Sequence, residues 1–211
     1  RGMQVAQGAT VCRCSGYQVG QSLAELRAKL SAMAWQTPSM TPLHIAAGTG
    51  NIAELNRILN DENLTDEEAE ALPEKQDDLG RTPLHVAAMT GEAATAASLC
   101  EFGADPSKQD NDGNTPIHLT AVYGKHLVTS MLCWAMSASG GDIHAVNSQG
   151  NTPLHEAAIH DHDKVAWQVM EKCDLDMKTM TNKDGKTPMD LAKEKEANKV
   201  LHLFKTGDCS D

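Results

Sequence analysis

One heptapeptide constrains this chain more than any other feature. It occurs as Thr41-Pro-Leu-His-Ile-Ala-Ala47, Thr82-Pro-Leu-His-Val-Ala-Ala88, Thr115-Pro-Ile-His-Leu-Thr-Ala121 and Thr152-Pro-Leu-His-Glu-Ala-Ala158, with a weaker fifth copy at Thr187-Pro-Met-Asp-Leu-Ala192. The threonines are 41, 33, 37 and 35 residues apart. Recurrence at this period calls for an array of small units, because none can bury its apolar face alone and each must stack on the next. The residues say what the unit is. Thr before Pro is a helix N-cap followed by a residue whose missing N–H costs nothing at the first helical position. The Ala pair lets a neighbouring helix approach closely, and Gly50, Gly91 and Gly124 supply a turn into a second helix. Asp77 to Gly80, Asp110 to Gly113, Asn147 to Gly150 and Asn182 to Gly185 each give a tight turn ahead of a heptapeptide.

The second helices read from their apolar spacing. Ile52, Leu55, Ile58 and Leu59 predict one face, Leu127, Val128, Met131 and Leu132 another, and Val165, Val169 and Met170 a third. The helix over Glu92 to Phe102 is weaker, with mostly Ala and Leu99. Thr115 to Asp142 is 27 residues against 23 from Thr82 to Asp105, so the third of these helices is longer by about one turn of roughly 3.6 residues. The largest extra segment is Asn60 to Gln76, in which Thr65-Asp-Glu-Glu68 has the form of a capping box opening a short additional helix. Ser22-Leu-Ala-Glu25 is a second such box, opening a helix with Leu23, Leu26 and Leu30 on one stripe. That helix either caps the first repeat or is the second helix of a degenerate preceding one.

In motif and spacing the chain resembles the ankyrin repeat family, whose period is 33 and whose signature is T-P-L-H-x-A. Four of the five copies fit closely. The resemblance implies an all-α ankyrin solenoid of helix–turn–helix pairs with β-turn or hairpin loops. Phe102-Gly-Ala-Asp105 and Gly140-Gly-Asp142 match the family's exit from the second helix, whereas Cys173-Asp-Leu-Asp176 departs from it. On this reading residues 1–20 are a flexible N-terminal segment and 21–36 a capping helix. Residues 37–205 form the repeat domain, with repeats starting near 37, 78, 111, 148 and 183 and an acidic insertion at 60–76, and 206–211 are a C-terminal tail. The start at Arg1 rather than Met suggests a trimmed or excised chain.

Charge and composition narrow the function. The net charge is −11, which argues against a nucleic-acid binder needing a basic stripe. Seven aromatics give few stacking platforms for single strands. The charge is local: Asn60 to Asp78 holds nine acids and only Lys75, a net −8. Lys183, Lys186, Lys193, Lys195 and Lys199 make the far end basic. No apolar run reaches the 18 or so residues that cross a membrane. Cys12, Cys14, Cys100, Cys133, Cys173 and Cys209 form no CxxC pair and read as reduced thiols inside a cell, in the cytoplasm or the nucleus.

No catalytic or metal site assembles from these residues. His44, His85, His118 and His155 each belong to the repeated motif and would stand about 10 Å apart in packed helix layers, beyond metal-ligand reach. They read as links between neighbouring repeats. His160-Asp-His-Asp163 straddles the turn between two helices and reads as a solvated turn. Asp110-Asn-Asp-Gly113 lacks the later ligands of a calcium loop. Gly185-Lys-Thr187 has Met180 where a phosphate-binding loop needs glycine. The expected cofactor and metal set is none, and the expected enzymatic activity is none.

The resemblance implies that the chain binds another protein through the turn tips and first helices. Carried over position by position, the outward residues after the Ala pairs are Met89, Thr90, Val122, Tyr123, Ile159 and His160, and at the tips Leu79, Arg81, Asn114, Asn151 and Lys186. Met89, Val122, Tyr123 and Ile159 make an apolar ladder over three consecutive repeats, the kind of surface that marks an interaction site. The expected partner is an apolar segment lying in the groove of the middle repeats, with basic residues facing the acidic insertion as a second handle. Nucleic acid and membrane are not expected as partners, and the chain is expected to be a monomer. The leading function is an intracellular scaffold or adaptor. The alternatives are an inhibitor occluding a kinase or transcription factor, and the targeting domain of a larger protein.

Overall fold

Each Thr-Pro pair starts a helix. The computed structural model describes residues 36–172 and 178–207, which lie within one compact unit, Trp35–Asp211. In chain order the helices are α1 (Pro42–Thr49), α2 (Ile52–Leu59), α3 (Asp66–Ala71), α4 (Pro83–Thr90), α5 (Ala93–Glu101), α6 (Pro116–Tyr123), α7 (His126–Ser139), α8 (Pro153–Ile159), α9 (Asp163–Lys172), α10 (Pro188–Glu194) and α11 (Asn198–Thr206). No strand occurs among the described residues. Thr41, Thr82, Thr115, Thr152 and Thr187 are N-caps in extended backbone, each with Pro entering the helix. The first helices α1, α4, α6, α8 and α10 stack one on the next, and the second helices α2, α5, α7, α9 and α11 make a parallel layer behind them. Between the layers runs one core. Leu43, Leu84, Ile117 and Leu154 occupy the same motif position, facing Leu55, Leu99, Leu132 and Val169 from the second layer.

The motif histidines tie this stack together. In each ring Nδ1 accepts the backbone N–H of its own N-cap threonine, at 3.3 Å for Thr41 and 3.1–3.2 Å for Thr82, Thr115 and Thr152. An acceptor Nδ1 places the proton on Nε2, which donates to a carbonyl of the following repeat. The four pairs are His44 with Arg81 O at 2.8 Å, His85 with Asn114 O at 3.0 Å, His118 with Asn151 O at 3.0 Å and His155 with Lys186 O at 3.1 Å. Burial lowers the pKa of all four rings, those of His85 and His118 to about 4. They are neutral donors and acceptors, in keeping with the link role the sequence assigns them.

The turn tips form a second set of links. Asp77, Asp110, Asn147 and Asn182 each use Oδ1 to accept two backbone N–H groups, two and four residues ahead. Successive tips then pair through their backbones: Asn111 N–H to Leu79 O, Ser148 N–H to Asp112 O and Lys183 N–H to Gln149 O, at 2.9–3.1 Å. The tip glycine serves both conformation and space. Gly80 has φ +73°, and a Cβ there would stand 2.8 Å from the Asn111 backbone nitrogen.

Between first and second helices a left-handed residue is needed. Gly50, Gly91 and Gly124 fill it in the first three repeats, but the fourth and fifth use Asp161 (φ 56°) and Glu196 (φ 55°). Asp161 gains a compensating role, since its Oδ1 accepts the Lys199 and Val200 N–H groups at 3.0 Å and so caps α11. Glu196 is exposed.

The segment between α2 and the second tip carries a short helix of its own. The Thr65–Glu68 capping box opens α3, with Thr65 N–H on Glu68 Oε2 at 3.0 Å. The segment beyond it is anchored: Pro73 is buried, and Glu74 Oε1 accepts the Asp105 N–H at 2.7 Å. Helix α7 has 14 residues against nine in α5. Its expected apolar face needs correction at Leu127, which is 66% exposed, while Val128 and Leu132 are buried. The three-residue step from Val128 to Met131 and the four-residue step to Leu132 already fill the inward stripe, which leaves Leu127 outside it. Ile52 is likewise exposed at the start of α2. The expected N-terminal segment 1–20, nearly all of the capping helix 21–36, the Cys173-Asp-Leu-Asp176 exit and most of the tail 206–211 lie outside the described residues.

Unfolded histidines titrate near 6.5, and the folded rings titrate lower. The unfolded chain therefore binds protons first as pH falls, and stability present above pH 6.5 is lost between 6.5 and about 4. For His85 and His118 the loss is on the order of 3 kcal/mol each. Asp110, raised by its burial, works in the opposite direction at the acid end. Urea unfolding at pH 7, 6, 5 and 4 should show a falling free energy; a flat profile would show that the rings do not carry the stack. Separately, Glu196→Gly removes left-handed strain and should raise the unfolding free energy by about 0.5–1 kcal/mol in the same assay.

Candidate functional site

The face made by the tips and first helices is shaped by what the backbone already requires. The residue after each tip glycine is doubly committed: its N–H is held by the Asx side chain and its C=O by the preceding histidine. Arg81 and Asn151, expected to point outward, are buried by side-chain partners, whereas Asn114 and Lys186, whose backbones are held in the same way, are half-buried. Arg81 pairs with Asp77, Nε–Oδ2 at 2.9 Å and Nη2–Oδ2 at 2.7 Å. Burial pulls the Asp77 carboxyl up, but the Arg81 guanidinium and the Arg81 and Leu79 N–H groups outweigh it and hold the pKa below the usual range. Asn151 donates to Glu156 Oε1 at 2.9 Å and accepts from Asn182 Nδ2 at 2.9 Å. Asn114, half-buried, accepts from Asn147 Nδ2 at 3.0 Å. Lys186 is paired with the Glu194 carboxylate.

The remaining expected residues divide by exposure. Leu79 and Tyr123 are exposed at 49% and 48%. Val122 and Ile159 are half-buried. Met89 packs partly on the core, with its sulfur 3.7 Å from Arg81 Nη1. Thr90 is half-buried and returns its hydroxyl to Val86 O at 3.0 Å. His160 is exposed and stacks on His162 with ring centroids 6.3 Å apart. The turn around it is less solvated than expected: Asp163 is buried, and His162, whose pKa burial lowers, faces Val122 O at 3.2 Å.

The structure brings Asn114, Val122, Ile159 and His160 together around one cleft. It has a volume of about 400 Å³, lies between the third and fourth tips, and is also lined by Asp112, Gln149 and Glu156. Glu156 is a residue that sequence reasoning missed. It occupies the motif slot held by Ile45, Val86, Leu119 and Leu191 elsewhere, and aligning the repeats on that slot is the signal that singles it out. Trp134 was missed as well. It is 72% exposed on α7 and lines a groove of about 400 Å³ against α5, on the opposite layer.

Other candidate chemistry is placed as follows. Cys133 is buried, and the half-buried Cys100 thiol is pushed up to about 11 by burial. Cys12, Cys14, Cys173 and Cys209 lie outside the described residues. Among the described residues no group of three metal-binding side chains converges, and no helix is long and apolar enough to cross a membrane.

Comparison with curated proteins gives no match. Three overlapping windows of the chain, residues 18–110, 43–139 and 95–181, match the family described as Ankyrin repeats (3 copies). Proteins of this family are generally protein–protein interaction modules and typically non-enzymatic. The windows together span well over half of the 211 residues, and the stacked helix pairs, capped by Thr-Pro and bridged by histidine, are the physical content of that match: the chain belongs to the ankyrin repeat family.

Proposed function

We propose that this chain is a non-enzymatic scaffold or adaptor that holds an extended segment of another protein on the face formed by its middle turn tips and first helices. The observation that carries this reading is Tyr123. It stands half exposed at the end of α6, beside Val122 and the cleft that Ile159 also lines, and no core or backbone need places an aromatic there. Tyr is a favoured anchor at interfaces because it buries a large area with little rotamer entropy to lose. Leu79, exposed on the second tip, extends the apolar surface. The acidic stretch Asn60 to Asp78 supplies long-range attraction for a basic partner, acting on the rate of encounter more than on affinity. We place the chain as a monomer in the cytoplasm or the nucleus, where six cysteines without a CxxC pair would stay reduced.

Twelve-residue random peptides selected on the wild-type protein provide the probe. Their affinity, read by fluorescence polarisation, should fall at least tenfold in Tyr123→Ala, about 1.4 kcal/mol, with the urea midpoint unchanged because the side chain lies outside the core. Affinity equal in the two folded proteins would remove the face from consideration.

A further inference from the structure

The aliphatic slot of the motif becomes a carboxylate only in the fourth repeat. The Glu156 side chain is 9% exposed. Burying a carboxylate costs several kcal/mol unless hydrogen bonds and a counter-charge meet it. The hydrogen bonds fall on one oxygen: Asn147 Nδ2 and Asn151 Nδ2 both donate to Oε1 at 2.9 Å. Both amide orientations are fixed by the backbone. Asn147 Oδ1 is held by the Gln149 and Asn151 N–H groups, so its NH₂ must face the carboxylate. Asn151 Oδ1 is held by Asn182, itself fixed in the same way. The other oxygen, Oε2, has His160 Nε2 at 3.9 Å, beyond hydrogen-bond length. A carboxylate can accept about four hydrogen bonds, and Glu156 lines the cleft described above together with the Asp112 carboxylate and no lysine or arginine.

We propose that this cleft receives a cationic side chain, arginine or lysine, from the segment bound on this face, with Glu156 as its counter-ion. The proposal rests on the binding face inferred above and adds its chemistry. Val122 and Ile159 on the walls suit the methylene stem that such side chains bury while the charged head seeks an acceptor. Glu156 Oε2 and Asp112 offer acceptors of the right sign, and arginine, with five donors in a plane, can use more of them than lysine.

The test titrates the intact protein with Nα-acetyl-N-methylamides of arginine, lysine and norleucine, following the Asn147 and Asn151 side-chain amide signals and the His160 ring by NMR. Arginine and lysine should give saturable shifts at these positions, with norleucine at least tenfold weaker. Glu156→Gln, whose Oε1 can still accept both amide N–H groups, should keep its fold and weaken arginine at least tenfold. Norleucine binding as well as arginine, or no saturable shift with any probe, overturns the proposal in the wild type alone, whether or not the variant folds. The selected peptides separate this inference from the wider one. A peptide without a basic residue that needs Tyr123 and ignores Glu156→Gln keeps the face and removes the cation site. A basic peptide lost in Glu156→Gln but indifferent to Tyr123→Ala keeps the cation site and removes the aromatic anchor.

Discussion

The stack depends on a neutral imidazole used from both edges. A helix needs an acceptor at its N-terminus and a buried carbonyl needs a donor, and histidine between its two protonations is the side chain that can be one on Nδ1 and the other on Nε2. Each ring therefore joins the cap of its own first helix to the tip of the next repeat. One such bond is worth only about 1 kcal/mol net; the carbonyl it serves also accepts the N–H of the first tip residue, as Arg81 O does from Asp77 at 2.9 Å, and the ring fills its second lone pair. Asp190 shows the two functions separating. It accepts the Thr187 N–H at 3.2 Å and the Thr187 hydroxyl at 2.7 Å, as a cap should, yet a carboxylate has no proton to pass forward. The series of ring-to-carbonyl links stops there.

With the backbone of every tip held alike, side-chain partners decide which surface positions are free for function. The residue after each tip glycine offers its carbonyl backward and its N–H to the Asx side chain, but its side chain turns in only where a partner meets it, as Asp77 does for Arg81 and Glu156 for Asn151, while Lys186 stays half-exposed. Arg81 and Asn151 are buried by those side-chain partners. The residue before the glycine also gives its N–H to the Asx oxygen, yet no side-chain partner turns it in, and Leu79, Asp112, Gln149 and Asp184 are all exposed. Variation that a partner could read belongs there and at the ends of the first helices, where the inward stripe is already full.

How much could be read without coordinates follows the same division. The helix pairs, the capping boxes, the acidic insertion and the extra turn of α7 were legible because each rests on local rules: an N-cap, a spacing, a turn residue. The structural role of the four histidines was legible because their spacing forbade a shared metal. What could not be read was the direction of single side chains. Arg81 sits one position from an exposed tip and yet turns inward to Asp77, an ion pair between residues four apart that neither residue announces. Leu127 lies beside two inward residues of α7 and still faces out. Asp161 and Glu196 stand where three earlier repeats use glycine, so a left-handed turn was masked by the absence of its usual residue.

Glu156 is the instructive omission, because its neighbours were chosen with it. The first residue of a tip is Asp in the second and third repeats and Asn in the fourth and fifth. Both types can hold the two backbone N–H groups, so the turn alone does not choose between them. Their outward oxygen or nitrogen does. Asp77 turns its second oxygen to the Arg81 guanidinium, and Asp110 offers its own to the Asn114 amide at 3.4 Å. Opposite Glu156 a tip aspartate would set two carboxylates together in a buried place, whereas Asn147 presents two N–H donors, one to Glu156 and one to Asn114. In the fourth repeat the tip residue is thus matched to the motif slot nine positions ahead; in the fifth, where that slot is Leu191, Asn182 gives its amide to Asn151 instead. The fourth-repeat match satisfies one oxygen of the carboxylate and leaves the other to the cleft, a charge the fold holds in place without neutralising.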